Sequence, residues 1–126
     1  MSNINVNTVT INGVEYVLKS SVNETKPAES KDGLPYKMFR GDRSGVFVGY
    51  QQSQNGKDVV ILEARRIWYW TGAASLSQLV IDGTSNPSNC KFPEAVSKIQ
   101  LTDCIEILDV TDKAKKSIES VKIWRQ

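Results

Sequence analysis

A chain of 126 residues, 40% hydrophobic and 24% charged, has enough apolar material for one domain with its own core and too little length for two. Its 16 basic and 14 acidic side chains leave a net charge of +2, no footprint for charge-driven binding, so double-stranded nucleic acid is not expected as a partner. The chain has no histidine, which excludes Ser-His-Asp and Cys-His nucleophiles, histidine-ligated zinc and the commonest general base near neutral pH.

No apolar run approaches the ~20 residues of a membrane-spanning helix, so no membrane partner is expected. Met1-Ser2-Asn3-Ile4-Asn5 lacks the basic and apolar regions of a signal peptide. A cytosolic location follows as the expectation. Cys90 and Cys104 match no zinc or redox spacing and are expected to be reduced and structural, packing as small hydrophobes. A disulfide between them would need an oxidising compartment.

Ile4 to Leu18 opens the chain as a β-hairpin. Apolar and polar residues alternate on both sides of Asn12-Gly13, and such a pair suits a turn that needs positive φ. Residues 1–22 are assigned to this hairpin and 23–35, with Pro27, Gly33 and Pro35 among charged and small polar residues, to a linker. Residues 36–126 form the main domain. An isolated hairpin is marginal in water, so this one is expected to dock on the body or on a second copy.

Within the body, Tyr36–Arg40 and Val46–Tyr50 read as strands around a turn at 41–45, and Gln54-Asn55-Gly56-Lys57 as a second Asn-Gly hairpin. Asp58 to Trp70 reads as one long strand. Period two puts Val59, Ile61, Glu63, Arg65, Ile67 and Tyr69 on one face and Arg66, Trp68 and Trp70 on the other. Ser75 with Gln78 has capping-box spacing for a short helix with Leu76, Leu79 and Val80 on its apolar face, and Gly83 is suited to its C-terminus. After a loop at 84–93, Val96–Leu101 and Cys104–Leu108 read as strands. Thr111 or Asp109 caps a final helix over Asp112–Ser120, and Val121 to Trp124 alternates as a closing edge strand. The fold class is α+β: a mainly antiparallel, twisted sheet with two short helices, preceded by the N-terminal β-hairpin.

The run from Ala64 to Gly72 concentrates chemistry. Trp68, Tyr69 and Trp70 offer ring faces for stacking, and Arg65 and Arg66 offer bidentate contacts to carboxylate or phosphate. The alternative is a core strand whose rings fill the interior while the arginines pair nearby. Arg40 and Arg43, in and beside the neighbouring turn, supply further charge. These seven residues are the candidate binding site. The Gly72–Gln78 junction reads as a capped helix start, since no lysine follows to make a phosphate loop. Asp103, Glu106, Asp109 and Asp112 would make one acidic row on a helix, a possible magnesium site, but they scatter on strands. Lys113, Lys115 and Lys116 read as a solvated helix face, with Lys115 spaced to pair with Glu119. Neither catalytic residues, a metal nor a cofactor are assigned.

Three pieces of the body carry a family resemblance. They are Ala64-Arg65-Arg66-Ile67-Trp68-Tyr69-Trp70-Thr71-Gly72-Ala73-Ala74-Ser75-Leu76-Ser77-Gln78-Leu79, then Asn89-Cys90-Lys91-Phe92, then Ala114 to Trp124 with its Val-x-Ile-Trp ending. With Ser44–Gly49, this pattern resembles a family of small bacteriophage proteins that carry a domain of unknown function. The N-terminal hairpin is similar to a module at the start of many small phage proteins. The resemblance implies a viral accessory protein in a host bacterial cytoplasm, and it brings no activity or site residue with it.

The expected function is therefore non-enzymatic: a phage accessory protein that binds and blocks or sequesters a host component, in anti-defence or host takeover. Its partner would be a host protein or a small nucleotide ligand, and self-association through the tethered hairpin is expected. A virion structural or assembly protein is one alternative, and a nucleotide or single-stranded nucleic-acid binding module another.

Overall fold

A computed structural model describes residues 26–126. The expected N-terminal hairpin lies outside the described residues. The elements run β1 (Tyr36–Gly41), β2 (Val46–Asn55), β3 (Asp58–Arg66), α1 (Leu76–Asp82), a 3-10 turn at Pro87–Asn89, β4 (Val96–Leu101), β5 (Cys104–Asp109) and α2 (Asp112–Ser120). All five strands join one sheet in the order β4-β3-β2-β1-β5, and every pairing is antiparallel. The class is α+β, as the patterning predicts.

The connections force the sheet to curl. β4 and β5 stand at opposite edges, yet only Thr102 and Asp103 separate them. Three Cα steps span at most about 11 Å, whereas a flat five-stranded sheet is roughly 19 Å across. The edges must bend toward each other, and the Cys104 N–H donates to the Lys57 carbonyl at 3.1 Å. Register shifts between Arg40 and Gly41, Val48 and Tyr50, and Gln51 and Ser53 supply the bends.

The curl makes two cores. Phe39, Phe47, Val59, Ile61, Ala64, Leu101 and Cys104 fill the concave interior. On the outer face Tyr36, Met38, Val48 and Ile67 pack under Leu79 and Val80 of α1, Ala114 and Ile118 of α2, and the buried loop residues Cys90 and Phe92. The two thiols are unpaired, buried, and belong to different cores. At Gly49 the wall leaves no room for a side chain: a Cβ there would sit 2.5 Å from Ile61 Cγ2 and 2.8 Å from the Leu62 carbonyl oxygen.

Local chemistry explains the ends of most elements. Ser75 caps α1, its hydroxyl accepting from Gln78 N–H, while Gln78 Oε1 accepts from Ala74 N–H. Gly83 closes α1 at φ 77°, donating to the Leu79 carbonyl. Thr111 caps α2 through Ala114 N–H. Residues 26–35 lie against the body: Ala28 N–H donates to Val110 O, and Asp112 N–H to Lys26 O. Within them Asp32 and Gly33, both at positive φ, form the tight turn that joins Lys31 to Leu34.

Three strand expectations change. The β2–β3 turn is centred on Gly56-Lys57 rather than Asn55-Gly56. Asn55 still pairs with Asp58, and Gly56 alone has positive φ, the pattern of a II′ turn. The long strand to Trp70 stops at Arg66 and carries a bulge at Glu63, φ 50°. That extra residue reverses the faces beyond it. Ala64 and Arg66 now continue the inward side of Val59 and Ile61, while Arg65 and Ile67 face the helices. The closing strand at 121–124 reduces to a single parallel bridge between Phe92 and Ile123.

Candidate binding surface

Where β3 ends, Ile67 is the anchor. Its side chain is buried in the outer core and its N–H donates to Val46 O at 2.8 Å. The next two residues turn outward. Tyr69 and Lys91 exchange both backbone hydrogen bonds, and the Trp124 N–H donates to Phe92 O at 3.0 Å. Three segments, 67–69, 90–92 and 121–124, are thereby laced side by side over the buried Phe92.

The side chains on this lacework form one surface. Trp68 stacks on Trp124 with ring centroids 4.9 Å apart and planes 20° from parallel. Lys91 Nζ lies 5.7 Å from the Trp68 and Trp124 ring centroids and 5.9 Å from that of Tyr69. Trp68 is 56% exposed and Tyr69 48%, among the most exposed large apolar side chains of the described residues. None of the ion pairs among the described residues involves Lys91. At the rim, Arg125 pairs with Glu94. An aromatic cluster with a cation at its centre is a composition suited to a protein-binding hot spot.

The seven predicted site residues divide. Trp68 and Tyr69 are on the surface. Trp70 is half-buried against the outer core. Arg65 turns inward: Nε donates to Pro93 O at 2.9 Å, Nη1 to Ile118 O at 3.0 Å, and Nη2 to Phe92 O at 3.1 Å and Val121 O at 2.8 Å. It thus ties the C-terminal end of α2 to the loop beneath it, with the guanidinium 5.5 Å from the Phe92 ring centroid. Burial pulls its pKa below the ordinary value. Arg66 lies 4.3 Å over the Phe47 ring and donates to Ser44 O at 2.7 Å, covering the mouth of the inner core. Arg40 pairs with Glu106 across β1 and β5 at 2.8 Å, and Arg43 is exposed in the turn that follows β1.

Sequence reasoning missed Lys91 and Trp124 as members of this surface. The signals lay in the quoted Asn-Cys-Lys-Phe and Val-x-Ile-Trp pieces, but only the fold brings them to Trp68.

The carboxylates scatter, each with its own partner. Asp103 accepts from Arg43 N–H at 2.8 Å, Ser44 N–H at 3.0 Å and Ser44 Oγ at 2.7 Å, and those donors hold its pKa below the usual carboxylate value. Glu106 faces Arg40, Asp109 faces Lys37, and Asp112 faces Lys116. Among the described residues no three His, Cys, Asp or Glu side chains are grouped to hold a metal. A concavity of about 360 Å³ lies between Pro27–Ala28, Pro35–Lys37 and Asp109–Thr111, and its two charged groups, Lys37 and Asp109, pair with each other. No described helix is long and apolar enough to cross a membrane.

Comparisons with curated proteins and with solved structures give no match. A family profile does match, over residues 35–118, from the first strand into the second helix. The chain belongs to the family defined by the domain of unknown function DUF6948.

Proposed function

We propose that this chain is a non-enzymatic phage accessory protein that binds, and blocks or sequesters, a component of the host bacterium through the Trp68–Trp124 face. The observation that carries the reading is the exposed Trp68 ring stacked on the half-buried Trp124, with Lys91 over both. Large rings left in water give up the burial that stabilises them elsewhere, and tryptophan and tyrosine are the side chains that concentrate binding energy when a partner covers them. The remaining ionisable groups support binding over chemistry. Asp103, Glu106, Asp109 and Asp112 are each held by a separate structural partner, and no histidine supplies a base. The viral setting and the bacterial cytoplasm come with the resemblance of the Ala64–Leu79, Asn89–Phe92 and Ala114–Trp124 pieces.

The test is affinity capture from bacterial lysate with the wild-type chain and with a Trp68→Ala, Trp124→Ala double variant. Any protein held by the first alone is then purified and titrated calorimetrically against both. Saturable binding to the wild type, lost in a double variant with an unchanged circular dichroism spectrum, is the expected result. Equal binding by both chains would move the site elsewhere on the molecule.

A further inference from the structure

We infer that the occupant of the Trp68–Trp124 face is an acidic, apolar protein segment, with a carboxylate against Lys91 and aliphatic or aromatic side chains against the rings. The inference rests on the reading of this face as the binding surface and adds the chemistry of what it binds.

The argument turns on where Lys91 sits. Its ammonium is not at the rim of the patch but within 6 Å of three ring centroids: Trp68, Tyr69 and Trp124. Anything that covers those rings also strips water from the ammonium. Ring faces attract a cation, but they offer no strong acceptors for its three N–H donors. No carboxylate among the described residues forms an ion pair with it, and the rim carboxylate, Glu94, is engaged by Arg125. Burying an unpaired ammonium opposes docking. A partner that covers the face therefore brings its own acceptor, and a carboxylate is the strongest one a protein offers.

Two other occupants fit less well. A single-stranded nucleic acid needs open ring faces for its bases and a track of cations for its phosphates. Here Trp68 and Trp124 turn a face of each ring to the other, so neither ring is open on both sides to a base, and Arg125 at the rim is already paired. A second copy meeting this face by a two-fold axis would set the same lysine-centred patch against itself. It would desolvate two ammonium groups and bring no unpaired carboxylate.

The experiment is a selection from a displayed library of short random peptides, run in parallel on the full-length wild type, Lys91→Glu and Trp124→Ala. Peptides enriched on the wild type should carry Asp or Glu beside Leu, Ile, Phe or Trp. Lys91→Met should weaken the best of them at least ~30-fold, the scale for removing one partner of a desolvated charge pair. Lys91→Glu should reverse the selected charge to Lys or Arg, a change that a folding defect cannot produce. Trp124→Ala should lose the peptides with Lys91 still present.

Patch-dependent peptides with no acidic preference, or a selection unmoved by Lys91→Glu, would overturn the inference and leave the binding face standing. So would tight binding of oligo-dT that Trp124→Ala abolishes, which assigns a nucleic acid. A wild-type dimer that Trp124→Ala turns into a monomer assigns a second copy and overturns it too. If peptide, oligo-dT and self-association measurements on the wild type all show no binding that Trp124→Ala removes, both this inference and the function proposed above fall.

Discussion

Four cations rest over aromatic rings among the described residues, and two of them, Arg65 and Lys91, have opposite fates. Arg65 lies over Phe92 with four N–H donors on backbone carbonyls from the 92–93 loop and the C-terminal end of α2. Lys91 lies over Trp68, Tyr69 and Trp124 with no ion pair among the described residues. Ring contact alone does not distinguish a structural cation from one at an interface. The distinction lies in whether the donors are engaged. A guanidinium whose donors are engaged by backbone carbonyls at a helix end belongs to the fold. An ammonium held by rings alone retains its demand for an acceptor.

The strongest way to break that contrast is Arg65→Ala. It leaves the carbonyls of Ile118, Val121, Phe92 and Pro93 without this donor, and should destabilise the fold by roughly 3 kcal/mol or more. For a domain of this size that is a fall in Tm of about 10 °C or more, read by thermal or urea melts. Arg65→Lys should recover a small part, since one ammonium cannot reproduce the fork. A melt of Arg65→Ala indistinguishable from wild type would erase the distinction.

Asp103 belongs with Arg65, since backbone N–H groups of the turn hold its charge. Its folded pKa lies below its unfolded value, so its contribution is complete above the unfolded pKa, about 4. It is lost as the pH falls through the lower, folded value. Asp103→Asn should lower the urea midpoint at neutral pH. The wild-type advantage over the variant should shrink below pH ~4. A gap that stays constant across that range would show that the charge plays no part in the turn.

On the other side of the contrast the effects on stability shrink. A double-mutant cycle of Trp68→Ala and Trp124→Ala should return a coupling of about 0.5–1.5 kcal/mol, the scale of a stacked pair. Zero coupling would mean that the rings do not stack in solution. Lys91→Met should be the mildest of all, within about 0.5 kcal/mol of wild type, since an exposed cation over rings adds little. A large loss would return Lys91 to the structural group.

Much of the fold is visible in local pattern, because local pattern is what caps and periodicity encode. β1, β4 and α2 sit where alternation and the Thr111 cap place them, and Ser75, Gln78 and Gly83 bound α1. The misplaced parts share one cause. A bulge is decided by the strands on either side, and nothing in Leu62-Glu63-Ala64 announces positive φ at a glutamate. One extra residue there was enough to exchange the roles of Arg65 and Arg66. The candidate surface was half visible for the same reason. Trp68 and Tyr69 stand out in the sequence. Lys91 and Trp124 join them only through the Tyr69–Lys91 and Phe92–Ile123 bridges, contacts between segments far apart in the chain.

The curled sheet has a consequence for synthesis on the ribosome. β1 is made early, yet its outer neighbour is β5, with Lys37 paired to Asp109. While β5 is still inside the exit tunnel, β1 to β4 can form their meander, but the concave side stays open and Phe39 and Phe47 have no lid. Closure of that side is thus a late event in the life of each nascent chain. Until it occurs, the exposed trough is the part of the molecule with the greatest need of a chaperone.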